Sequence, residues 1–460
     1  GVNHDASTIT GLDVLQQTET PGLGARITEA EFRDQFQGAR ATAAVPALSG
    51  AAVLRRWAGL RPRARSRAPI LGSWPGRPGH YVANGGFKIG FGVAPCVARL
   101  MADEGVDALV LNRTDNTRYL VGIGPYDSFS LSAEHGAVIP RDGEPTFLAA
   151  PRLAEDLADR HWLEDVRSFS TGKEDAVDAF ASVLADHGAA DGTVGLDPHM
   201  EFQFARQFGD ALPRADVVDA GDLLYRARAV KSPKEIALID EGLEIAEIGI
   251  EAGIEAVDVG VRECDVSGTI MKAMLDAGAA GAYALPAIVS SGVRWSRCQE
   301  FPSQKRIRRN EFVQLDEGPM YKGYYSELAR MLFLGTPSDA QRDMYQATFQ
   351  AHQAAIDAIE PGVSGQEVYE ASREIFAEYG YEDSFTMGYI GHGIGTVAHE
   401  PPYIGPTANP TLEENMIVMI EPGLFNRGVA GVRFEDMVLV TDSGSKVLSR
   451  TAHPHHDKFV

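Results

Sequence analysis

From Cys96 to about residue 220, apolar runs of strand length alternate with stretches of helical spacing. Val97-Ala-Arg-Leu-Met-Ala-Asp-Glu-Gly-Val-Asp107 carries apolar residues at helical intervals, and Ala108-Leu-Val-Leu-Asn112 reads as a buried strand. The alternation continues through Gly136-Ala-Val-Ile-Pro140, Phe147-Leu-Ala-Ala150, Ala176 to His187, Thr193-Val-Gly-Leu-Asp197 and Val217-Val-Asp219, which predicts a mixed α/β unit. A junction follows at Arg228-Ala-Val-Lys-Ser-Pro-Lys-Glu-Ile236, where the chemistry is that of a helix start. Ser232 caps free backbone donors, Pro233 suits the first helical position, and Glu235 completes a capping box. Leu238, Ile239, Leu243, Ile245, Ala246, Ile248 and Ile250 then predict a largely buried helix. Helices over 341–359 and 365–379 fill the gap between two pairs of strand-like runs.

Both strand pairs carry acids. In the run from Gln314 to Arg330, Asp316 and Glu327 flank the turn residues Pro319 to Gly323. A turn centred on Tyr321 and Lys322 sets the two acids directly opposite, with Cβ atoms roughly 5 Å apart. Carboxylates that close repel by about 3 kcal/mol at an effective dielectric near 20, and a cation between them removes the problem. The second pair is Glu421, ending Met416-Ile-Val-Met-Ile420, and Glu435, within Gly431-Val-Arg-Phe-Glu-Asp436. Between the pairs lies Gly391-His-Gly-Ile-Gly395, where glycine lets the backbone come close to whatever His392 touches. Each piece alone also fits a solvated hairpin, a flexible turn or a strand end. Four carboxylates and one imidazole together suit Mn, Co, Fe or Zn, and bridging carboxylates suit a two-metal site.

The ordered set resembles the catalytic domain of the pita-bread metallopeptidase family, which includes aminopeptidase P, prolidase, methionine aminopeptidase and creatinase. The matching stretches are Leu315-Asp-x-Gly318 with Gly323-Tyr-x-Ser-Glu-x-x-Arg330, Gly391-His-Gly-Ile-Gly395 with His399-Glu400, Ile420-Glu-Pro-Gly423, and Gly431-Val-Arg-Phe-Glu-Asp436. Asn112-Arg-Thr-Asp-Asn-Thr-Arg-Tyr-Leu-Val-Gly122 is similar to the start of the amino-terminal domain of creatinase, prolidase and aminopeptidase P. The resemblance implies an α+β pita-bread catalytic domain over 229–460, preceded by a smaller creatinase-type α/β domain over 92–228. It implies one or two divalent ions, Mn first and Co, Zn or Fe as alternatives, held by Asp316, Glu327, His392, Glu421 and Glu435. His399 would lie near the substrate, stabilising an oxyanion, Glu421 would relay a proton, and Arg433 would support Glu435. The implied reaction is hydrolysis of a carbon-nitrogen bond, with a short Xaa-Pro peptide or a small amide-like metabolite as substrate. A homodimer is implied as well.

Two positions depart from the pattern. Glu327 stands where the peptidases carry a second aspartate, one methylene shorter. Gln299, in Ser290-Ser-Gly-Val-Arg-Trp-Ser-Arg-Cys-Gln-Glu-Phe-Pro-Ser303, stands where they have a histidine that contacts the scissile amide, and glutamine cannot shuttle a proton. Relatives that hydrolyse creatine or ectoine, and a dimethylsulfoniopropionate lyase of this fold with a similar Gln-Glu, therefore stand as alternatives beside the peptidase reading. A binding protein that reuses the fold is disfavoured by the retained ligand chemistry.

Composition narrows the partners. The formal charge of −22 repels nucleic acid and anionic membrane surfaces, and no apolar run approaches the roughly 20 residues needed to span a bilayer. Cys96, Cys264 and Cys298 are few, odd in number and widely spaced, which points to a reducing, cytoplasmic setting, with Cys298 read as a packed thiol. The first 91 residues differ from the rest: no Asp or Glu occurs between Asp34 and Asp103, and Arg55, Arg56, Arg61, Arg63, Arg65 and Arg67 cluster among Ala, Pro and Gly. We expect a poorly ordered extension there, foreign to the domain it precedes, and one that gene misreading would explain. His453, His455 and His456 beside Pro454 read as a solvated terminus.

Overall fold

A computed structural model describes residues 70–73, 81–84 and 90–453, apart from 124–134, 161–162, 170–175, 299, 386 and 408–410. Most of the expected amino-terminal extension, Gln299, His455 and His456 lie outside the described residues. Strands Ile70–Ser73 (β1) and Tyr81–Asn84 (β2) pair antiparallel, and a helix runs over Gly90–Glu104. It leads into a six-stranded sheet built from Ala108–Leu111 (β3), Gly136–Pro140 (β4), Thr146–Ala149 (β5), Asp165–Ser168 (β6), Thr193–Leu196 (β7) and Asp216–Asp219 (β8), ordered β6-β5-β4-β3-β7-β8. β3 is buried on both faces, which is why it reads as an unbroken apolar run. One face packs Leu109, Leu111 and Phe147 against Met101, Tyr119 and Leu224, and the other packs Val110 and Val138 against Phe180 and Phe208.

The helix at the junction spans Pro233–Ala256 and begins with the expected box, Ser232 accepting from the Glu235 backbone and Glu235 accepting from the Ser232 backbone at 2.7 Å. Ile239, Leu243, Ile245, Ala246 and Ile250 are buried, whereas Ile248, expected inside, is 48% exposed because it falls on the opposite side of the helix. A second helix, Glu263–Asp276, packs on the first. The strands that follow are Gly281–Ala282 (β9), Ile288–Ser291 (β10), Glu311–Glu317 (β11), Pro319–Tyr321 (β12), Tyr324–Tyr325 (β13) and Leu328–Leu334 (β14). They form two three-stranded sheets, β10-β11-β14 and β13-β12-β9. Helices Asp339–Asp357 and Gly365–Glu378 come next, followed by Gly391–Gly393 (β15), Glu400–Ile404 (β16), Ile417–Ile420 (β17), Gly423–Asn426 (β18), Ala430–Arg433 (β19), Asp436–Thr441 (β20) and Gly444–Val447 (β21). Sheet β16-β15-β17-β20-β21 and the pair β18-β19 complete the half, with one apolar core on each side of the acid-bearing strands.

The carboxy-terminal segment departs from expectation. His453 is largely buried, with its ring 5.0 Å from that of Phe434 and Nε2 2.9 Å from Asp436. A terminal histidine reads as solvated only while the buried acid that receives it is unknown.

Candidate metal centre

β11 and the break before β14 hold the first acids, in a register the sequence reading misplaced. Asp316 pairs with Ala329, and the same register runs on through Met320 with Tyr325 and Tyr321 with Tyr324, so the turn is centred on Lys322 and Gly323. Both turn residues have positive φ, 48° and 93°, the geometry of a two-residue turn matched to strand twist. Glu327 is consequently the diagonal neighbour of Asp316, in a break between β13 and β14. Gly318 permits that break, since a Cβ there would come 1.8 Å from the Ser326 carbonyl oxygen. The two acids still converge: Asp316, Glu327 and Glu435 each offer an oxygen within 4.8 Å of the others.

Glu421 and Glu435 are placed by two ladders that share one register. Ile420 pairs with Asp436 on one side and Gly423 with Arg433 on the other, so Glu421 lies across from Glu435. β15 lies alongside β17, and a Cβ on Gly391 would sit 2.1 Å from the Met419 carbonyl, which is why the backbone beside His392 is glycine. That approach carries His392 Nε2 to 3.4 Å from Glu421 and 3.7 Å from Glu327, while its Nδ1 lies 3.0 Å from the Gly393 carbonyl oxygen. Nδ1 is thereby a donor in either protonation state, and Nε2 is left to face the acids, where it carries a proton or, once that proton is displaced, a metal ion. His399 is more open, its side chain 41% exposed, with its ring 3.9 Å from that of His392 and Nε2 3.9 Å from Glu327.

Arg433 does more than support Glu435. Its guanidinium is 3.0 Å from Glu435 and 3.1 Å from Glu421, pairs with Asp316, and lies 5.5 Å from the centre of the Trp295 ring. One cation thus faces three acids. Burial pushes Asp316 up and Arg433 opposes it, leaving a value of about 6. Burial together with Asp316 holds Glu435 well above the usual carboxylate range. Burial would also raise Glu421, but Arg433 and His392 outweigh it and bring it down to about 2. For His392 burial acts downward, and the facing Glu421 and Glu327 carboxylates overcome it to hold the imidazole at about 9. Side by side, these acids and imidazole have opposed proton affinities, as a site does when it is built for a charge larger than one guanidinium supplies.

Orphaned atoms say the same. Glu327 Oε2, His392 Nε2 and both carboxylate oxygens of Glu435 are buried without a hydrogen-bond partner among the described residues. Buried polar atoms in that state are costly, and a divalent ion accepts all of them as ligands. Glu327 belongs to two candidate groups, one with His392 and His399 and one with Asp316 and Glu435, as a carboxylate between two ions would.

Two neighbours escaped the sequence reading. Tyr283 donates its hydroxyl to Asp316 Oδ1 at 2.5 Å, brought there by the bond from its own N–H to the Gly318 carbonyl. Nothing in Gly281-Ala-Tyr-Ala-Leu-Pro286 signals this, because the contact depends on β9 pairing with β12. Glu317 is fully buried, and its carboxyl is pushed up to about 9, chiefly by burial. Its signal was present, an acid inside an apolar strand beside Asp316, but strand alternation turns it to the opposite face.

Known proteins match the same two halves. The model for metallopeptidase family M24 matches residues 237–442, and that for the creatinase/prolidase N-terminal domain matches 97–230. A model for FAD dependent oxidoreductases matches residues 9–104, the segment whose composition is foreign to the rest. An Xaa-Pro dipeptidase of Lactobacillus helveticus is 31% identical over 317 residues, 68% of this chain and 84% of that protein. One from Pyrococcus horikoshii is 29% identical over 355 residues, 77% of this chain and 96% of that protein. Prolidase from Pyrococcus furiosus superposes with a TM-score of 0.68 at 28% identity, covering 77% of this chain and 100% of that one. With its ordered motifs, its two-part fold and these relatives, the chain belongs to metallopeptidase family M24, behind a creatinase-type amino-terminal domain.

Proposed function

We propose that the protein is a metal-dependent hydrolase of carbon-nitrogen bonds that acts on short peptides with proline on the amine side of the scissile bond. The observation that carries this is the convergence of Glu327, His392 and Glu435, with ligand atoms buried and without hydrogen bonds, beside Asp316 and Glu421. Asp316, Glu327, His392, Glu421 and Glu435 would hold one or two divalent ions, Mn first by family habit, with Co, Zn and Fe able to use the same donors. When bound, such ions supply an activated water nucleophile and polarise the substrate carbonyl.

The protein's own groups do the rest. Glu421, across from Glu435 and 3.4 Å from His392, would take the proton released as the nucleophile attacks and hand it to the leaving nitrogen. His399, open to solvent on one side and close to Glu327 on the other, is positioned to stabilise the developing oxyanion. Arg433 holds three acids in place, and Tyr283 fixes the orientation of Asp316. The domain division at about 92 and 229, a homodimer and a cytoplasmic setting belong to the same reading. The acidic charge and scarce cysteines support it, and no helix among the described residues is long and apolar enough to cross a membrane.

Metal analysis of the purified protein, followed by an assay of Ala-Pro and Gly-Pro dipeptides beside creatine, ectoine and dimethylsulfoniopropionate, tests the reading. Mn2+-dependent release of proline is expected. Intact dipeptides with turnover of one of the other three would replace the peptidase by the metabolite hydrolase or lyase that Gln299 and Glu327 keep open.

A further inference from the structure

We infer that the carboxy-terminal segment Thr451–His453 is a clamp on the metal centre, and that His453 is its positioning residue. This rests on the metal-site reading above. Phe434, Glu435 and Asp436 run consecutively from the end of β19 into β20, and each is gripped by Arg330 or His453 through an atom other than the Glu435 carboxylate. His453 packs edge-on against Phe434, with ring centres 5.0 Å apart at 78°. Arg330 donates through Nη1 to the Glu435 carbonyl at 2.7 Å and through Nη2 to Asp436 Oδ1 at 2.9 Å. The same guanidinium donates from Nε to the Thr451 carbonyl at 2.8 Å, tying the segment after β21 to the start of β20. His453 Nε2 closes the ring at 2.9 Å from Asp436 Oδ2.

Asp436 is buried, so both of its oxygens need donors. Arg330 satisfies one, and His453 satisfies the other. Without His453, Oδ2 would retain only His352 Nε2 at 3.5 Å among the described residues, and the segment that carries Glu435 between its two ladders would lose a contact on either side, at Phe434 and at Asp436. Both carboxylate oxygens of Glu435 are free of hydrogen bonds, and the one charged group against them is Arg433 at 3.0 Å, so its direction depends on that ion pair and on this backbone. Groups that orient ligands in this way typically govern metal affinity by 10- to 100-fold.

His352, Asp436 and His453 also lie close enough to suggest a further ion, but Arg330 already holds the same carboxylate and would repel one.

The test is calorimetric titration of the metal-stripped full chain with Mn2+, comparing wild type with H453A, H453F and H453Q, and recording the thermal midpoint of each in chelator. H453A and H453F should weaken Mn2+ binding by about 10- to 100-fold at unchanged stoichiometry, and H453Q, which keeps an N–H donor, should recover most of it. H453F keeps the packing on Phe434 and so serves if H453A does not fold. Wild-type affinity in both H453A and H453F, or in H453F alone if H453A fails to fold, overturns the clamp. So does loss of one whole equivalent of Mn2+ with the remainder bound normally, which would make the cluster itself a metal site. Wild type that takes up no Mn2+ overturns the metal-site reading first, and the clamp with it.

Discussion

His392 shows how one residue's environment sets the chemistry of the site. Its Nδ1 is committed to a backbone carbonyl, so its free Nε2 can only accept a proton or a metal ion from the space shared with Glu421 and Glu327. Replacing it by alanine, or Glu435 by glutamine, should weaken Mn2+ binding by roughly 100-fold, the upper end of what is lost even when only a supporting group is removed. Elemental analysis after dialysis checks this, with the metal-to-protein ratio of wild type as the reference. The opposed proton affinities also predict a pH dependence. Asp316 at about 6 and His392 at about 9 lie above their unfolded values of roughly 3.9 and 6.5. Their stabilisation is therefore full below the unfolded values and is lost as pH rises through the folded ones. Glu421, at about 2, acts the other way and matters only as pH falls below roughly 4.3. The metal-free protein should thus lose thermal stability from pH 6 to 9. Saturating Mn2+, which binds the deprotonated ligands, should remove most of that loss. Scanning calorimetry with and without chelator decides it, and a midpoint in chelator that stays flat across this range contradicts the scheme.

Among the elements, the first acid-bearing hairpin carries the clearest lesson. Its strands were legible from their apolar runs and its turn from Pro319 to Gly323, yet the register was not, because Lys-Gly adopts the same two positive-φ turn as Asn-Gly without announcing it. A turn displaced by one residue moves a strand partner by two, which changes who faces Asp316 but not which face Glu327 takes. Arg118, from the preceding domain, donates to the Gly323 carbonyl at 2.9 Å and holds this turn from outside, a contact that no local pattern contains. Two substitutions separate an element's stability from its part in the site. S232A removes the cap of helix Pro233–Ala256 and should cost about 1 kcal/mol in denaturant unfolding, with Mn2+ affinity unchanged. G391A drives a Cβ into the Met419 carbonyl and should cost about 1–3 kcal/mol while also weakening Mn2+ binding, because β15 must leave β17.

For the whole molecule, a buried polar junction links the two domains to the site. Arg228 donates to Asp115 Oδ2 at 3.0 Å and Asn116 Oδ1 at 2.6 Å and pairs with Glu400 at 3.0 Å, while Lys231 donates to the other oxygen of Glu400 at 3.1 Å. Glu400 follows His399 directly, so the amino-terminal domain reaches the open edge of the site through one peptide unit. R228A leaves Asp115 and Glu400 buried with too little compensating charge and should destabilise the protein by about 3–5 kcal/mol. Chemical denaturation measures it, and a loss below 1 kcal/mol would show that the junction is solvated.

What the sequence by itself determined is whatever short-range patterns encode. The β3 run, the capping box at Ser232, the helices between the hairpins and the order of the acid and histidine motifs depend on neighbours a few residues away. Only the tertiary structure decided which distant groups share a charge. It brought Arg433 to three acids, Tyr283 to Asp316, and His453 from the chain's end to Asp436. Apart from Arg433 with its near neighbours Glu435 and Glu421, these partners are 17 to 117 positions apart, and their pairing follows from strand register and from the need of buried acids for donors, neither of which a local pattern reports.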